Sequence, residues 1–442
     1  LGQNNDNFTI ASKLADTITT VHGGGGSDIL TANIGADYGV LILFVDTSQD
    51  GSRYDADIST TATALTGGAY EYTNSGNDII NASGSLSSVT IYGGIGNDTI
   101  YGSRVADHLA GGSGNDKIHG LGGDDHIYGD SGFNIDVSTR LDRAGQILTV
   151  VNKPAATDNP ETRDSLSAGG DVITGDAGED LIFGDFGEIQ QASGTQRITN
   201  MGNIIALKTV NEKSGAGDTI DGGIGDDIVF GGGGGDVIND RSGDNIVLGD
   251  TGVVQFSGSR VSRIEADSSS GGGNDKITTG GGVDILIGGS GSDQLNSGGG
   301  NDTLLGDDGS LQVSGTVPTR IESSSGGGND QLNGESGSDI LIGGGGSDTL
   351  SASGSDNVML GDTGVVTLSG GRPNKVEANG AGSGNDRILG SGGDDILLGG
   401  NGSDTIDGGN GNDVIIGDTG TVIMSGSRPA LVVGSADSGG ND

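Results

Sequence analysis

Single aliphatic residues recur at every ninth position over long stretches, each two places after an Asp in a phrase that opens on glycines. In one stretch the acidic positions are Asp275, Asp284, Asp293 and Asp302; in the next they are Asp330, Asp339 and Asp348, with Asn357 completing the series; in a third they are Asp386, Asp395, Asp404 and Asp413. The shared phrase is Gly-Gly-x-Gly-x-Asp-x-aliphatic-x. Its glycines permit positive φ and close backbone approach, so the first six residues predict a tight turn. The last three predict a short strand whose middle side chain points inward while its neighbours point out. Two phrases then close one coil, so residues 18 apart stack at about 4.8 Å, the spacing of neighbouring strands. Asp275 is expected to sit on Asp293, and Asp284 on Asp302.

The outward strand positions differ between the two sides of the coil. Lys276-Ile277-Thr278, Gln294-Leu295-Asn296 and Gln331-Leu332-Asn333 have polar flanks, whereas Ile285-Leu286-Ile287, Ile340-Leu341-Ile342 and Ile396-Leu397-Leu398 are apolar throughout. One sheet is therefore predicted to face water and the other to need a cover, because exposed apolar stripes of that length are unusual in isolated soluble proteins.

A longer period lies above the phrase: Asp218 to Asp275 is 57 residues, Asp275 to Asp330 is 55, and Asp330 to Asp386 and Asp386 to Asp442 are 56 each. Each long unit reaches a Gly-Asp-x-Gly string, beginning at Gly249, Gly306, Gly361 and Gly417, and then an insert. Within the inserts, runs such as Val253 to Phe256 and Val365 to Leu368 meet a Ser-Gly turn and a second β-prone run, which predicts a hairpin. The insert leaves the apolar side. Its hairpin is expected either to fold back over that sheet or to leave the face for self-association or another surface protein. Keeping the two sides in phase requires a whole number of coils per unit, read here as three, a rise of about 14 Å.

The expected fold is all-β, a parallel β-roll (β-solenoid) of two short-strand sheets with hairpin inserts about every 56 residues. Residues 1–90 read as an irregular beginning of the solenoid, 91–217 as β-roll with long inserts, and 218–442 as the regular array. Divergent inserts are expected over Tyr38 to Ser75 and Ser138 to Arg163. The chain begins on Leu1 and ends on Gly-Gly-Asn-Asp, a string that opens repeats elsewhere, so both ends are expected to be cut from something longer, with any secretion signal or anchor outside this window.

Composition agrees with a thin core. Of 442 residues 94 are Gly, hydrophobic residues reach 31% and aromatics 3%, which excludes the single large core of an ordinary enzyme of this length. There is no Cys, so neither disulfides nor thiolate metal sites are possible. The longest apolar run, near Val40 to Val45, is far below the roughly 18 residues of a membrane helix, and no membrane insertion is expected. With 20 Lys and Arg against 61 Asp and Glu the net charge is −41, which repels nucleic acid and attracts cations.

That charge is concentrated where the coil stacks it. Two carboxylates about 4.8 Å apart repel by about 0.9 kcal/mol in water and about 3.5 kcal/mol at an effective dielectric near 20. A cation between coils reverses the sign. Carboxylates with turn carbonyls at six to eight coordination suit Ca²⁺, whereas Mg²⁺ demands tight octahedral geometry and sheds water reluctantly.

Gly288-Gly289-Ser290-Gly291-Ser292-Asp293-Gln294-Leu295-Asn296 closely resembles the nonapeptide of the repeats-in-toxin (RTX, haemolysin-type) calcium-binding proteins. The resemblance covers the chain well from about Ile91 onward and patchily before. It implies a parallel β-roll with multiple Ca²⁺ held between turns by the sixth-position Asp and glycine-loop carbonyls. It also implies a bacterial, type I-secreted, extracellular or cell-surface protein that folds in external calcium. The implied ligands are Asp98, Asp116, Asp125, Asp218, Asp227, Asp236, Asp275, Asp284, Asp293, Asp302, Asp330, Asp339, Asp348, Asp386, Asp395, Asp404 and Asp413, with Asp28, Asp171 and Asp180 matching in poorer surroundings. Asn245 and Asn357 stand where Asp is expected, so their sites should be weaker or differently completed. Asp107 keeps the frame without the glycines. A Gly- and Asp-rich acidic chain also describes a disordered linker, which suits the calcium-free state but does not require the ninth-position aliphatics.

No catalytic constellation is apparent. His22, His108, His119 and His126 read as ordinary histidines, no Gly-x-Ser-x-Gly stands between a strand and a helix, and the Gly-x-Gly-x-x-Gly spacings follow from glycine abundance with no helix behind them. Arg260, Arg372 and Arg428 recur near the insert turn, either paired with carboxylates or solvated. The expected role is non-enzymatic: a calcium-loaded structural segment of a surface layer, matrix fibre or adhesin stalk. The alternative is the secretion and folding module of a type I-secreted enzyme or toxin. The regular array lacks flat Thr ladders and exposed aromatic platforms, which argues against an ice- or glycan-binding face.

Overall fold

The structure, a computed structural model, describes residues 4–13, 18–36, 39–46, 76–130, 168–191, 204–210, 215–267, 271–314 and 317–435. The insert expected over Ser138 to Arg163, and that over Tyr38 to Ser75 apart from Val40–Asp46, lie outside the described residues. The chain divides into Leu1–Ile224 and Gly225–Asp442. Among the described residues every helix or strand element is a β-strand.

In the second unit, Lys276–Thr278 pairs in parallel with Gln294–Asn296, and the same sheet continues through Gln331–Gly337, Thr349–Gly354, Arg387–Leu389 and Thr405–Asp407. The opposite sheet runs from Ile246–Leu248 through Ile285–Ile287, Thr303–Leu305, Ile340–Gly344, Val358–Asp362 and Ile396–Leu398 to Val414–Ile416. Consecutive strands in the chain thus alternate between sheets, and each joins the strand one coil away. The register places Ile277 on Leu295 and Leu286 on Leu304, and all four are buried. These single inward side chains are the whole width of the core, which is why the phrase tolerates so little hydrophobicity.

The number of coils per unit differs from the expected three. Asp293 is stacked on Asp330 across the insert, just as Asp275 is on Asp293 within a uninterrupted stretch, so each unit contains two coils and rises about 9.6 Å. The reason is that the insert does not follow a completed phrase; it splits one. A Cβ on Gly288 would lie 2.4 Å from both Asp293 Oδ2 and the Gly306 carbonyl; a Cβ on Gly249 would lie 2.2 Å from Asp275 Oδ2 and 2.6 Å from the Gly288 carbonyl. Gly249 is therefore the first glycine of the phrase that Asp275 ends, with residues 251–271 inserted between its halves.

The inserts form the predicted hairpins. Gly252–Ser257 pairs antiparallel with Arg260–Ala266, Gly309–Ser314 with Val317–Ser323, Gly364–Ser369 with Arg372–Ala378, and Gly420–Ser425 with Arg428–Gly434. Successive hairpins also pair with one another, Ala266 opposite Gly309 and Val376 opposite Val422, into one antiparallel sheet. It lies against the apolar sheet: Gly364 approaches so closely that a Cβ would meet Leu360 Cδ2 at 2.2 Å. Val254, Ile264, Leu311, Ile321, Val366 and Val376 are fully buried, as are Ile287, Leu305, Ile342, Leu360 and Leu398 beneath them. The stripe offered above for lateral association is covered within the chain. The ionic contacts of these hairpins, Arg263 with Glu265 at 3.0 Å, Arg320 with Glu322 at 2.8 Å and Lys375 with Glu377, face solvent, and Arg260, Arg372 and Arg428 stand exposed at the turns.

The first unit repeats the two-sheet plan with less regular strands. One sheet orders Asn7–Ile10, Ile29–Ala32, Ile79–Asn81, Thr99–Tyr101, Lys117–His119, Val172–Thr174 and Thr219–Asp221. The other orders Ile18–Gly24, Val40–Asp46, Val89–Ile95, His108–Ser113, His126–Tyr128 and Leu181–Phe183. Here aromatic rings take the outward places that aliphatic residues hold later: Phe44 stacks on Tyr92 at 5.1 Å and Tyr128 on Phe183 at 5.2 Å. His119 belongs to the first sheet, stacked on Tyr101 at 5.0 Å, whereas His126 is buried in the second.

Candidate metal centre

Each phrase places its Asp at the end of the glycine turn, immediately before the strand. That position is fixed by the inward aliphatic residue two places on, so every Asp of one edge falls in one row. In the second unit one row runs Asp236, Asp275, Asp293, Asp330, Asp348, Asp386, Asp404, the main-chain N–H of each donating to Oδ1 of the next at 2.7–2.8 Å. The other edge carries Asp227, Asn245, Asp284, Asp302, Asp339, Asn357, Asp395 and Asp413 in the same arrangement at 2.7–3.1 Å. In the first unit the rows are Asp28, Asp78, Asp98, Asp116, Asp171, Asp218 and, on the other edge, Asp107, Asp125, Asp180.

All twenty sequence-predicted aspartates thus lie in these rows, and all but Asp413, in the last described coil, are buried. Two further members were not among them. Asp78 follows Gly76-Asn77, the same Gly-Asn-Asp string that precedes the strands at Asp98 and Asp116, a signal legible in the sequence. Asp107 is the other, and it is closed off: Ser103 stands in the place of a glycine and donates both its main-chain N–H and its hydroxyl to the Asp107 carboxylate.

The second oxygen of the other carboxylates is what gives the rows their chemistry. Oδ2 of Asp116, Asp125, Asp171, Asp275, Asp284, Asp293, Asp302, Asp330, Asp339, Asp348, Asp386 and Asp395 is buried with no hydrogen-bond partner. Buried polar atoms are nearly always satisfied, so a whole row of exceptions requires an explanation. Burial in the rows raises these acids above their ordinary value, neighbouring carboxylates raise all but Asp116 further, and the ladder N–H opposes the rise. Asp293, Asp330, Asp339 and Asp348 are pushed up to about 7. Asp275, with Asp236 and Asp250 beside it, reaches about 9, and Asp125, between Asp107 and Asp180, about 10.

The donor set fits a hard cation. A single point, that of a Cβ on Gly343, lies 2.4 Å from Asp348 Oδ2 and 2.3 Å from the Gly361 carbonyl of the next coil; the glycine leaves this space between a carboxylate and a carbonyl of successive coils. Among the described residues no three His, Cys, Asp or Glu side chains converge, so main-chain carbonyls must complete any coordination shell here. Oxygen donors of that kind suit Ca²⁺. The two Asn positions differ: Asn357 keeps the ladder bond through Oδ1 but buries an unpartnered amide nitrogen where the aspartates present Oδ2, and an amide N–H repels a cation.

A family model described as RTX calcium-binding nonapeptide repeat (4 copies) matches residues 16–38, 72–109, 105–136, 166–188, 215–238, 221–253, 269–304, 324–359 and 380–421, together more than half of the chain. No curated protein gives a significant match.

Proposed function

The chain belongs to the RTX calcium-binding nonapeptide repeat family, and we propose on that basis that it is an extracellular structural repeat protein whose aspartate rows fold around calcium. The ligands in this reading are the row aspartates, from Asp28 to Asp413, together with glycine-turn carbonyls. Calcium, when bound, supplies the positive charge that the paired carboxylates lack. The observation that carries the reading is the run of buried Oδ2 atoms with no hydrogen-bond partner, since like charges stacked in that way oppose folding until a cation separates them.

The physical role follows from the packing. Between the two parallel sheets the core is one aliphatic side chain per strand, so turn geometry must supply much of the order, and in this reading that order depends on external calcium. Secretion in an unfolded, calcium-poor state and stiffening outside the cell would then be one process, suited to a surface layer, matrix fibre or adhesin stalk. The deciding experiment is circular dichroism with sedimentation, from chelator into millimolar Ca²⁺ with Mg²⁺ as control. A transition from expanded coil to compact β-structure with Ca²⁺ alone supports the reading. Equal β-structure in chelator overturns it.

A further inference from the structure

We propose that the split turns at Asp307 and Asp362 hold cation sites of a second kind, in which the residue after the first glycine adds a carboxylate to the row aspartate of the same phrase. The inference rests on the calcium reading above and concerns residues outside the nonapeptide consensus, which has glycine at this place.

Asp307 and Asp362 are the Asp of the Gly-Asp-x-Gly strings, each standing where the insert leaves its phrase. Exposure is 1% for Asp307 and 0% for Asp362. Oδ2 of Asp307 accepts the Gly345 main-chain N–H at 2.5 Å, and Oδ2 of Asp362 accepts that of Asn401. These bonds tie the outgoing end of the insert to the next coil, and an Asn could make them without charge. The other oxygen, Oδ1, is buried without a hydrogen-bond partner in both residues. It faces the returning end of the insert: a Cβ on Gly326 would lie 2.5 Å from Asp307 Oδ1, and one on Gly382 would lie 2.9 Å from Asp362 Oδ1 and 2.3 Å from the Gly344 carbonyl. Row carboxylates are within electrostatic reach, Asp330 and Asp348 of Asp307, and Asp386 and Asp404 of Asp362. Two carboxylates and carbonyls from both halves of a split turn form a buried donor set that the uninterrupted turns do not offer, since Asp176 and Glu335, the acidic residues at the second position of such turns, are not buried. More ligand charge raises calcium affinity, so these junctions should load first and pin the ends of each hairpin insert.

Asp250 supplies the contrast. It occupies the same place, yet Oδ1 accepts the Gly273 N–H at 3.1 Å and Oδ2 the Ser290 N–H at 2.6 Å. Both of its oxygens are satisfied without a cation.

The test uses the full chain, Asp307→Asn, Asp362→Asn and Asp250→Asn, stripped with chelator and dialysed against Ca²⁺. Asn retains the acceptor for Gly345 or Asn401. The inference expects about one fewer bound ion in each of the first two variants, no change in Asp250→Asn, and an about tenfold higher calcium midpoint for hydrogen-exchange protection of Val317–Ser323 in Asp307→Asn. Unchanged ion number and midpoint in Asp307→Asn and Asp362→Asn overturn it. Should those variants not fold, the wild type answers the same question, because the Gly345 and Asn401 amides should gain protection at lower calcium than the Ser290 amide, and equal midpoints reject the inference. A wild type that binds no calcium would instead reject the underlying reading.

Discussion

The main-chain N–H of Asp330 donates to Oδ1 of Asp348 one coil away at 2.8 Å, while Oδ2 of Asp348 is buried with no hydrogen-bond partner. One carboxylate therefore does two different things. Its first oxygen fixes the stacking of successive turns, and its second creates an unmet electrostatic demand that repeats at every coil.

Stability without calcium should depend steeply on pH. The folded-state acids lie above their unfolded values, with Asp330 and Asp348 near 7, Asp386 near 8 and Asp275 near 9. A raised folded pKa contributes stability that is full below the unfolded value, about 3.9, and is lost as pH rises through the folded one. In chelator, β-structure by circular dichroism should thus grow as pH falls from 9 to 5, whereas millimolar Ca²⁺ should restore it at pH 8. Ion-free stability that stays flat or drops as pH falls from 9 to 5 would contradict the assignment of buried, uncompensated carboxylates.

Asn357→Asp should repair the interrupted row. The substitution replaces a buried amide nitrogen without a partner by a carboxylate oxygen. Calcium counting by equilibrium dialysis should find about one additional ion, with the midpoint of thermal unfolding raised in calcium and lowered in chelator. A variant that unfolds at a higher temperature in both conditions would show that relief of the unpaired amide, not a new site, is what matters.

Gly343→Ala should damage a turn that opens on four glycines. Its Cβ would come within 2.3 Å of the Gly361 carbonyl and 2.4 Å of Asp348 Oδ2, whereas a Cβ on Gly327 meets nothing within 4 Å. Gly343→Ala is expected to cost about 1–3 kcal/mol through overpacking and to weaken calcium binding; Gly327→Ala should stay within about 0.5 kcal/mol of wild type. Denaturant titration in saturating calcium separates the two, and equal midpoints would rule out the close-packed turn.

Core and surface should respond very differently. Leu341 is fully buried between Leu304 and Met359, and Leu341→Ala should cost about 2–5 kcal/mol. Arg320 pairs with Glu322 in solvent, their side chains 38% and 48% exposed, so Arg320→Ala should change stability by about 0–1 kcal/mol. Thermal unfolding in calcium would settle both, and a large loss in Arg320→Ala would mean that the hairpin sheet depends on charge more than on Val376 and its buried neighbours.

Much of this molecule is written locally. The nine-residue period sets strand, turn and inward side chain together, so the two parallel sheets, the stacking of Asp275 on Asp293 and the polar and apolar sides follow from spacing alone, as do the hairpins of the inserts. Asp78 was equally legible in its Gly-Asn-Asp string. Other features depend on which atoms meet after the chain has coiled. A split phrase looks like a completed one followed by an insert until Gly249 is found against Asp275, and that contact decides two coils per unit instead of three. Likewise, Ser103 closing off Asp107, successive hairpins joining into a sheet over the apolar face, and the orphaned Oδ1 of Asp307 against the satisfied Asp250 all depend on neighbours 4 to 49 residues away. The sequence by itself determined the repeat and the rows of stacked carboxylates, because those are properties of residues at fixed spacing. Only the tertiary structure decided which oxygens remain without partners, because hydrogen bonds across coils are set by stacking.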